Sequence, residues 1–120
     1  MATSTIKRQL VEKVAFVGTS DINTAYTNTG HSADIRFRRI GQIVTMTGYI
    51  KIGTNITAEL NTHIFTVPEG FRPYFSTNAV GGHATDTTLC FFYCNGTKFF
   101  ARFQARANET YQFSATWIAA

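Results

Sequence analysis

From Ile35 to Trp117 the chain alternates. Ile35 and Phe37 are apolar where Arg36 and Arg38 are charged. Beyond the turn at Ile40-Gly41, Val44, Met46, Gly48, Ile50 and Ile52 form one series, while Thr45, Thr47, Tyr49 and Lys51 form the other. A period of two marks a strand with one buried face. Shorter runs repeat the pattern: His63 to Val67, stopped by Pro68; Ser76 to Val80; and a last strand in which Tyr111, Phe113, Ala115 and Trp117 share a face. Gly53 to Asn61 and Gly81 to Asp86 read as turns or loops. In Pro68-Glu69-Gly70-Phe71-Arg72-Pro73, Gly70 suits the positive φ of a type II turn. Asn95-Gly96 predicts a type I′ hairpin between two aromatic strands. That register sets Cys94 opposite Thr97, Phe92 opposite Phe99 and Cys90 opposite Ala101. On the other face it pairs Tyr93 with Lys98, Phe91 with Phe100 and Leu89 with Arg102. Both faces of the hairpin are apolar, so one must be covered by something other than the core. Short strands at this spacing predict a mainly β chain, an antiparallel β-sandwich or jelly roll.

Upstream the period changes. Thr3 to Val17 reads as a helix, capped by Ser4 or Thr5, with Ile6, Leu10, Val14 and Val17 at three-to-four spacing. Val14, Phe16 and Val17 equally suit the start of a strand. Gly18 to Asp34 is polar and turn-rich and reads as a linker. The chain therefore divides into a 1–34 attachment segment with linker and a 35–120 β domain.

Composition agrees with this reading. The 120 residues suit one main domain. The 44% hydrophobic content excludes wholesale disorder, and low charge with 14% aromatics favours strands over helices. A net charge of +4 permits anionic partners. Only Arg36, Arg38 and Arg39 cluster, so no nucleic-acid stripe emerges. No apolar run approaches the ~20 residues of a membrane span, and the N-terminus lacks a secretory pattern, which implies synthesis in the cytoplasm.

Cys90 and Cys94 lie four apart in an expected strand, ~13 Å between Cα atoms, too far to bridge each other. They read as small buried hydrophobes, and His31, His63 and His83 lack metal-ligand spacing. No hydrolase, phosphate-loop or dinucleotide fingerprint occurs. A Cys–His pair with His83 would place its nucleophile inside an aromatic hairpin. The expectation is a protein without catalytic activity, metal or cofactor. Binding is the stronger theme. The 81–88 loop brings His83 and Asp86 beside a strand carrying Phe91 and Tyr93, across from Lys98 and Arg102. Aromatic faces with a few directed polar groups suit a sugar or polyol, although core and subunit contacts explain the aromatics as well.

The run Arg39-Ile40-Gly41-Gln42-Ile43-Val44-Thr45-Met46-Thr47-Gly48, followed by Phe65-Thr66-Val67-Pro68-Glu69-Gly70-Phe71-Arg72-Pro73, resembles the C-terminal head domains of tail proteins from phages of Gram-positive bacteria. The resemblance covers Ile35 to Trp117, and its most specific element is Val67 to Pro73. It implies a β-sandwich head that forms a homotrimer at a tail tip or baseplate of the virion. Such heads adhere to host cell-wall saccharides or teichoic-acid-like polyol phosphates. An accessory subunit contacting only other tail proteins is the alternative. On this basis His83 and Asp86 would bond polyol hydroxyls, Tyr93 would stack, and Arg102 would pair with a phosphate. Phe91 and Phe100 would bury the second hairpin face on a neighbouring subunit. Ile6, Leu10 and Val14 would pack the attachment segments together.

Overall fold

The structure, a computed structural model, describes residues 11–28, 30–57, 62–86 and 88–120. Within them the chain is mainly β: β1 (Glu12–Gly18), β2 (Ser32–Ile40), β3 (Ile43–Lys51), β4 (Ile56–Thr57), β5 (Phe65–Thr66), β6 (Thr77–His83), β7 (Leu89–Asn95), β8 (Lys98–Ala101), β9 (Gln104–Ala105) and β10 (Thr110–Ile118). Eight strands form one antiparallel sheet in the order β1-β2-β3-β10-β6-β7-β8-β5, and β4 pairs with β9 apart from it. The sheet is nearly closed into a barrel-like shape, compatible with the expected β-sandwich-like head.

The inward series of each strand supplies the core. Ile35, Phe37, Val44, Met46, Ile50, Phe92, Cys94, Phe99 and Phe113 are buried, as the alternation requires. Their rings touch in a continuous column. Trp117 meets Phe37 at 6.4 Å, Phe37 meets Phe65 at 6.3 Å, and Phe65 stacks on Phe99 at 4.6 Å. Phe99 and Phe92 then meet Phe113 at 5.1 and 4.8 Å, and Phe92 leads through Phe103 to Tyr111. Each buried ring contributes roughly 1.5–3 kcal/mol by area. The indole of Trp117 is also satisfied, donating to the Phe71 carbonyl at 2.8 Å.

The segment after β1 bridges the two ends of the sheet. Asn23 donates from its backbone to the Ile64 carbonyl and from its side chain to the His63 carbonyl, both at 2.8 Å. Arg39 reaches the Gly70 carbonyl at 2.7 Å. The expected linker is thus built into the fold: it carries 3₁₀ turns at Thr19–Asp21 and Thr24–Tyr26, and Ile22 and Tyr26 are buried. The division expected between residues 34 and 35 falls inside β2.

Several local expectations are corrected. Residues 12–18 form a strand rather than a helix, because all seven pair in register with β2. Val14 and Val17, one stripe on a helix, fall on opposite faces, 72% and 3% exposed. Ile6 and Leu10 lie outside the described residues. The 63–67 strand contracts to Phe65–Thr66, and β6 runs on through Gly81 and Gly82 to His83. The aromatic hairpin turns one residue later than expected, at Gly96-Thr97, so Cys94 opposes Phe99 and Phe92 opposes Ala101. Gly96 has φ +59° and Thr97 keeps an ordinary φ, the Gly-first pattern of a type II′ turn. Both residues of a type I′ turn need positive φ, which Thr97 resists. Because the register moves by two, each side chain keeps its expected face. The type II turn at Pro68–Phe71 forms as expected, with Gly70 at φ +89° and a 3.1 Å bond from Phe71 N to the Pro68 carbonyl.

Gly48, Phe113 and Gly81 lie in one row across β3, β10 and β6. A Cβ on Gly81 would overlap the Gln112 carbonyl, whereas one on Gly82 would sit 3.4 Å from the Thr88 carbonyl, an ordinary contact. Gly81→Ala should therefore lower unfolding stability by at least about 2 kcal/mol, and Gly82→Ala by less than about 1 kcal/mol. Urea titrations of the two variants check this; equal losses would contradict it.

Candidate functional site

The most organised group of polar side chains lies where β6 meets β10 at one end of the sheet. His83 closes β6 opposite Tyr111 and so faces inward, with its ring 5.1 Å from that of Tyr111. The 83–88 connection is tied by a 3.0 Å bond from His83 N to the Thr88 carbonyl. Asp86 forms an Asx turn, accepting from Thr88 N at 3.0 Å. The other wall is the 106–110 turn, where Asn108 takes φ +67°. This turn is anchored by Ala107 N to Asn55 Oδ1 at 2.8 Å and Asn108 N to the Ile52 carbonyl at 2.7 Å.

A chain of polar contacts joins the two walls. His83 Nδ1 lies 3.0 Å from Asp86 Oδ1, and its Nε2 lies 3.5 Å from Glu109 Oε1. Tyr111 donates its hydroxyl to Glu109 Oε2 at 3.2 Å and accepts from Arg106 N at 2.9 Å. Between the walls is an open cleft of about 290 Å³, with Phe103 packed edge-on against Tyr111 at 4.9 Å. The Thr88 amide and hydroxyl, then His83, hold the Asp86 carboxyl down to about 2. Burial pushes the Tyr111 hydroxyl up.

The four residues expected to bind ligand fall into two pairs. His83 and Asp86 are brought together in the cleft. Tyr93 and Arg102 instead lie on the outer face of the β7–β8 hairpin, where the guanidinium stacks 4.4 Å from the Tyr93 ring centre. Of the two aromatics expected at a subunit interface, Phe91 is 48% exposed. Phe100 is 6% exposed, covered by the chain itself with Tyr93 and His63 alongside, so it offers a neighbour little surface. Sequence reasoning missed Glu109 as a partner of His83, and Arg106 and the Tyr111 hydroxyl as members of the same cleft. Glu109 fell in the turn at Ala107 to Thr110, Arg106 at the end of the aromatic hairpin and Tyr111 on a core face, and only the β6–β10 pairing brings them to the His83 cleft.

The contacts of the cleft keep the Asp86 carboxyl ionised. A general acid must carry a proton at working pH, and a carboxyl held near 2 carries none. Cys90 is buried under the cleft with its thiol pushed up, by burial first and then by Asp86. Burial alone pushes the Cys94 thiol up to about 12, so neither sulfur has the character of a thiolate nucleophile. Among the described residues no group of three or more His, Cys, Asp or Glu side chains has the arrangement to hold a metal ion. No protein-family model matches the chain, and no curated protein matches it in sequence.

Asp86 gives the cleft a defined pH response. Its carboxyl titrates lower in the folded chain than its ordinary 3.8, so its bonds stabilise the loop above pH ~4 and are lost as pH falls toward 2. Wild type should melt above Asp86→Asn at pH 6, and the gap should close between pH 4 and pH 2. A gap that stays constant over that range would show that the carboxylate contributes nothing to the clasp.

Proposed function

We propose that this chain is a non-catalytic adhesion module, a phage tail-tip or baseplate head that takes a host cell-wall saccharide or polyol phosphate. The observation that carries the reading is the cleft. The half-buried ring of Phe103, backed by the buried Tyr111, lies beside polar groups fixed by their own hydrogen bonds. A sugar is held by such a combination, its C–H face against a ring and its hydroxyls on directed donors and acceptors. Because the Asp86–His83–Glu109 contacts already order both loops, little side-chain entropy remains to be lost on binding.

A second observation bears on assembly. Phe16, Arg36, Thr47, Ser114, Val80 and Phe91 form one outward row across six strands, with exposed apolar groups at both ends. Such a row supports burial of the outer face between copies, as in a homotrimer, and equally favours the alternative of an accessory tail subunit contacting only virion proteins. Val14, on the same face of β1, belongs to that surface.

Thermal melts against a panel of cell-wall saccharides and glycerol phosphate separate these readings. The adhesion reading expects at least one compound to raise the melting temperature of wild type and to fail with the Asp86→Asn/Glu109→Gln double variant. No shift with any compound would favour the accessory subunit. Light scattering should return three chain masses, reduced to one by Phe91→Lys.

A further inference from the structure

The sheet is open along one edge. Among the described residues β1 stands at the end of the strand order and pairs with β2 alone, and the strand at the other end, β5, is two residues long. Along an antiparallel strand, alternate residues turn both backbone groups toward the neighbour or away from it. Two observations fix which way β1 turns. Gly18 donates its N–H to Asp21 Oδ2 at 2.8 Å rather than to β2, so Phe16, Val14 and Glu12, at two-residue steps from it, face outward as well. Independently, the two-residue turn at Gly41-Gln42 makes Ile40 and Ile43 a bonded pair. That commits Arg38 and Arg36 to β3 and leaves Arg39 and Phe37 to bond Lys13 and Ala15. Glu12, Val14 and Phe16 therefore present their N–H and C=O groups to no strand among the described residues. Their side chains are exposed, as is that of Lys13 between them, so this half of β1 stands clear of the core.

We propose that this edge docks the same edge of a second copy, β1 against β1, antiparallel and in register about Val14. What singles out a second copy is that the open stretch is self-complementary. A two-fold axis through Val14 sets Val14 against Val14 and Glu12 against Phe16 of the other copy, so every outward residue enters a pair that exchanges two hydrogen bonds. No like charges meet across the axis: Lys13 falls opposite Ala15, and Glu12 keeps its own Arg38. The alternative register about Ala15 would set Glu12 against Gly18, whose N–H Asp21 already holds. On the outer face the pairing adds a contact between the two Val14 side chains, each 72% exposed in the single chain. A contact of this length is small beside the ~1,000 Å² that a stable interface buries, so it forms at high concentration and comes apart on dilution. The inference does not depend on the adhesion reading.

The test uses the full chain at high concentration, with single cysteines on the edge and diamide to oxidise two thiols to one disulfide. The native Cys90 and Cys94 are buried and do not compete. In the proposed register the two Val14 Cα atoms lie ~5.5 Å apart, within disulfide reach, and the two Phe16 Cα atoms at least ~13 Å apart. Val14→Cys should therefore cross-link to itself about tenfold faster than Phe16→Cys or more, and Phe16→Cys should link to Glu12→Cys when the two are mixed. The mean mass of the wild type by light scattering should rise with concentration and return on dilution. Val14→Pro should abolish that rise and keep the fold, because the N–H it removes points away from β2; amide spectra outside β1 check the fold. Equal cross-linking of Val14→Cys and Phe16→Cys, or a rise in mass that survives Val14→Pro, overturns the proposal. So does a Val14→Pro chain that fails to fold, since its N–H would then have served β2. None of these outcomes touches the cleft.

Discussion

The fold depends on two close backbone approaches on either side of Phe113, Gly48 against β2 and Gly81 against β10. Phe113 enters the core between Gly48 and Gly81, and side chains at those two positions would collide with the carbonyls of Asp34 and Gln112. A glycine inside a strand costs backbone entropy and offers nothing to pack, so its presence in two strands of one row needs a reason. Here the reason is the curl. With no Cβ at either place, the sheet bends around Phe113 until β5 faces β2 and Phe65 reaches Phe37. Without the bend, the inward rings would line an open sheet and face water.

That closure also makes the cleft. The ring column passes along the barrel from Trp117 to Tyr111 and ends against His83, the last residue of β6. The imidazole is held on one side by the packed Tyr111 ring and on its two nitrogens by acidic groups from separate loops. The loops are therefore ordered by contact with the core as well as with each other. His83 belongs at once to the column and to the mouth, which ties the cleft to the sheet beneath it.

The sequence carried the faces of this fold better than its edges. Alternation identified the buried series of β2, β3 and β10 residue by residue, because burial of one face leaves a period of two that no other element mimics. Gly70 and the lone, unbridged cysteines were legible for equally local reasons. The β1 strand was legible only as one of two equal readings. Its Val14 and Val17 fit a helical stripe, and only pairing with β2 decides between the two periods. The hairpin turn was misplaced by one residue because Asn-Gly is a strong local signal, whereas Gly96-Thr97 meets the backbone demand with a single positive φ. Within the site, His83 and Asp86 were found because they are three apart in sequence. Glu109 reaches His83, and Arg106 the same cleft, only through the β6–β10 pairing, a fact about strand order that no local pattern contains.

The outer face shows how charge and apolar surface share one sheet. Arg36 donates to Asp34 at 2.9 and 3.3 Å and lies 5.4 Å from the centre of the Phe16 ring, while Arg38 pairs with Glu12. The Asp34 carboxyl is held down by that hydrogen bond to Arg36. Exposed pairs of this kind add little stability in water. Their effect is on what happens when the face is covered. A lone guanidinium would lose its hydration with nothing in return, whereas one already bonded to a carboxylate and resting on a ring has partners that travel with it. Covering Phe16, Val80 and Phe91 therefore strands no charge on β2. The cleft is the opposite case, because there Arg106 remains without an acid partner among the described residues, beside carboxylates that have theirs. Arginine chemistry thus differs between the two places: on the sheet face each guanidinium has a carboxylate partner, and at the end of the barrel Arg106 is exposed.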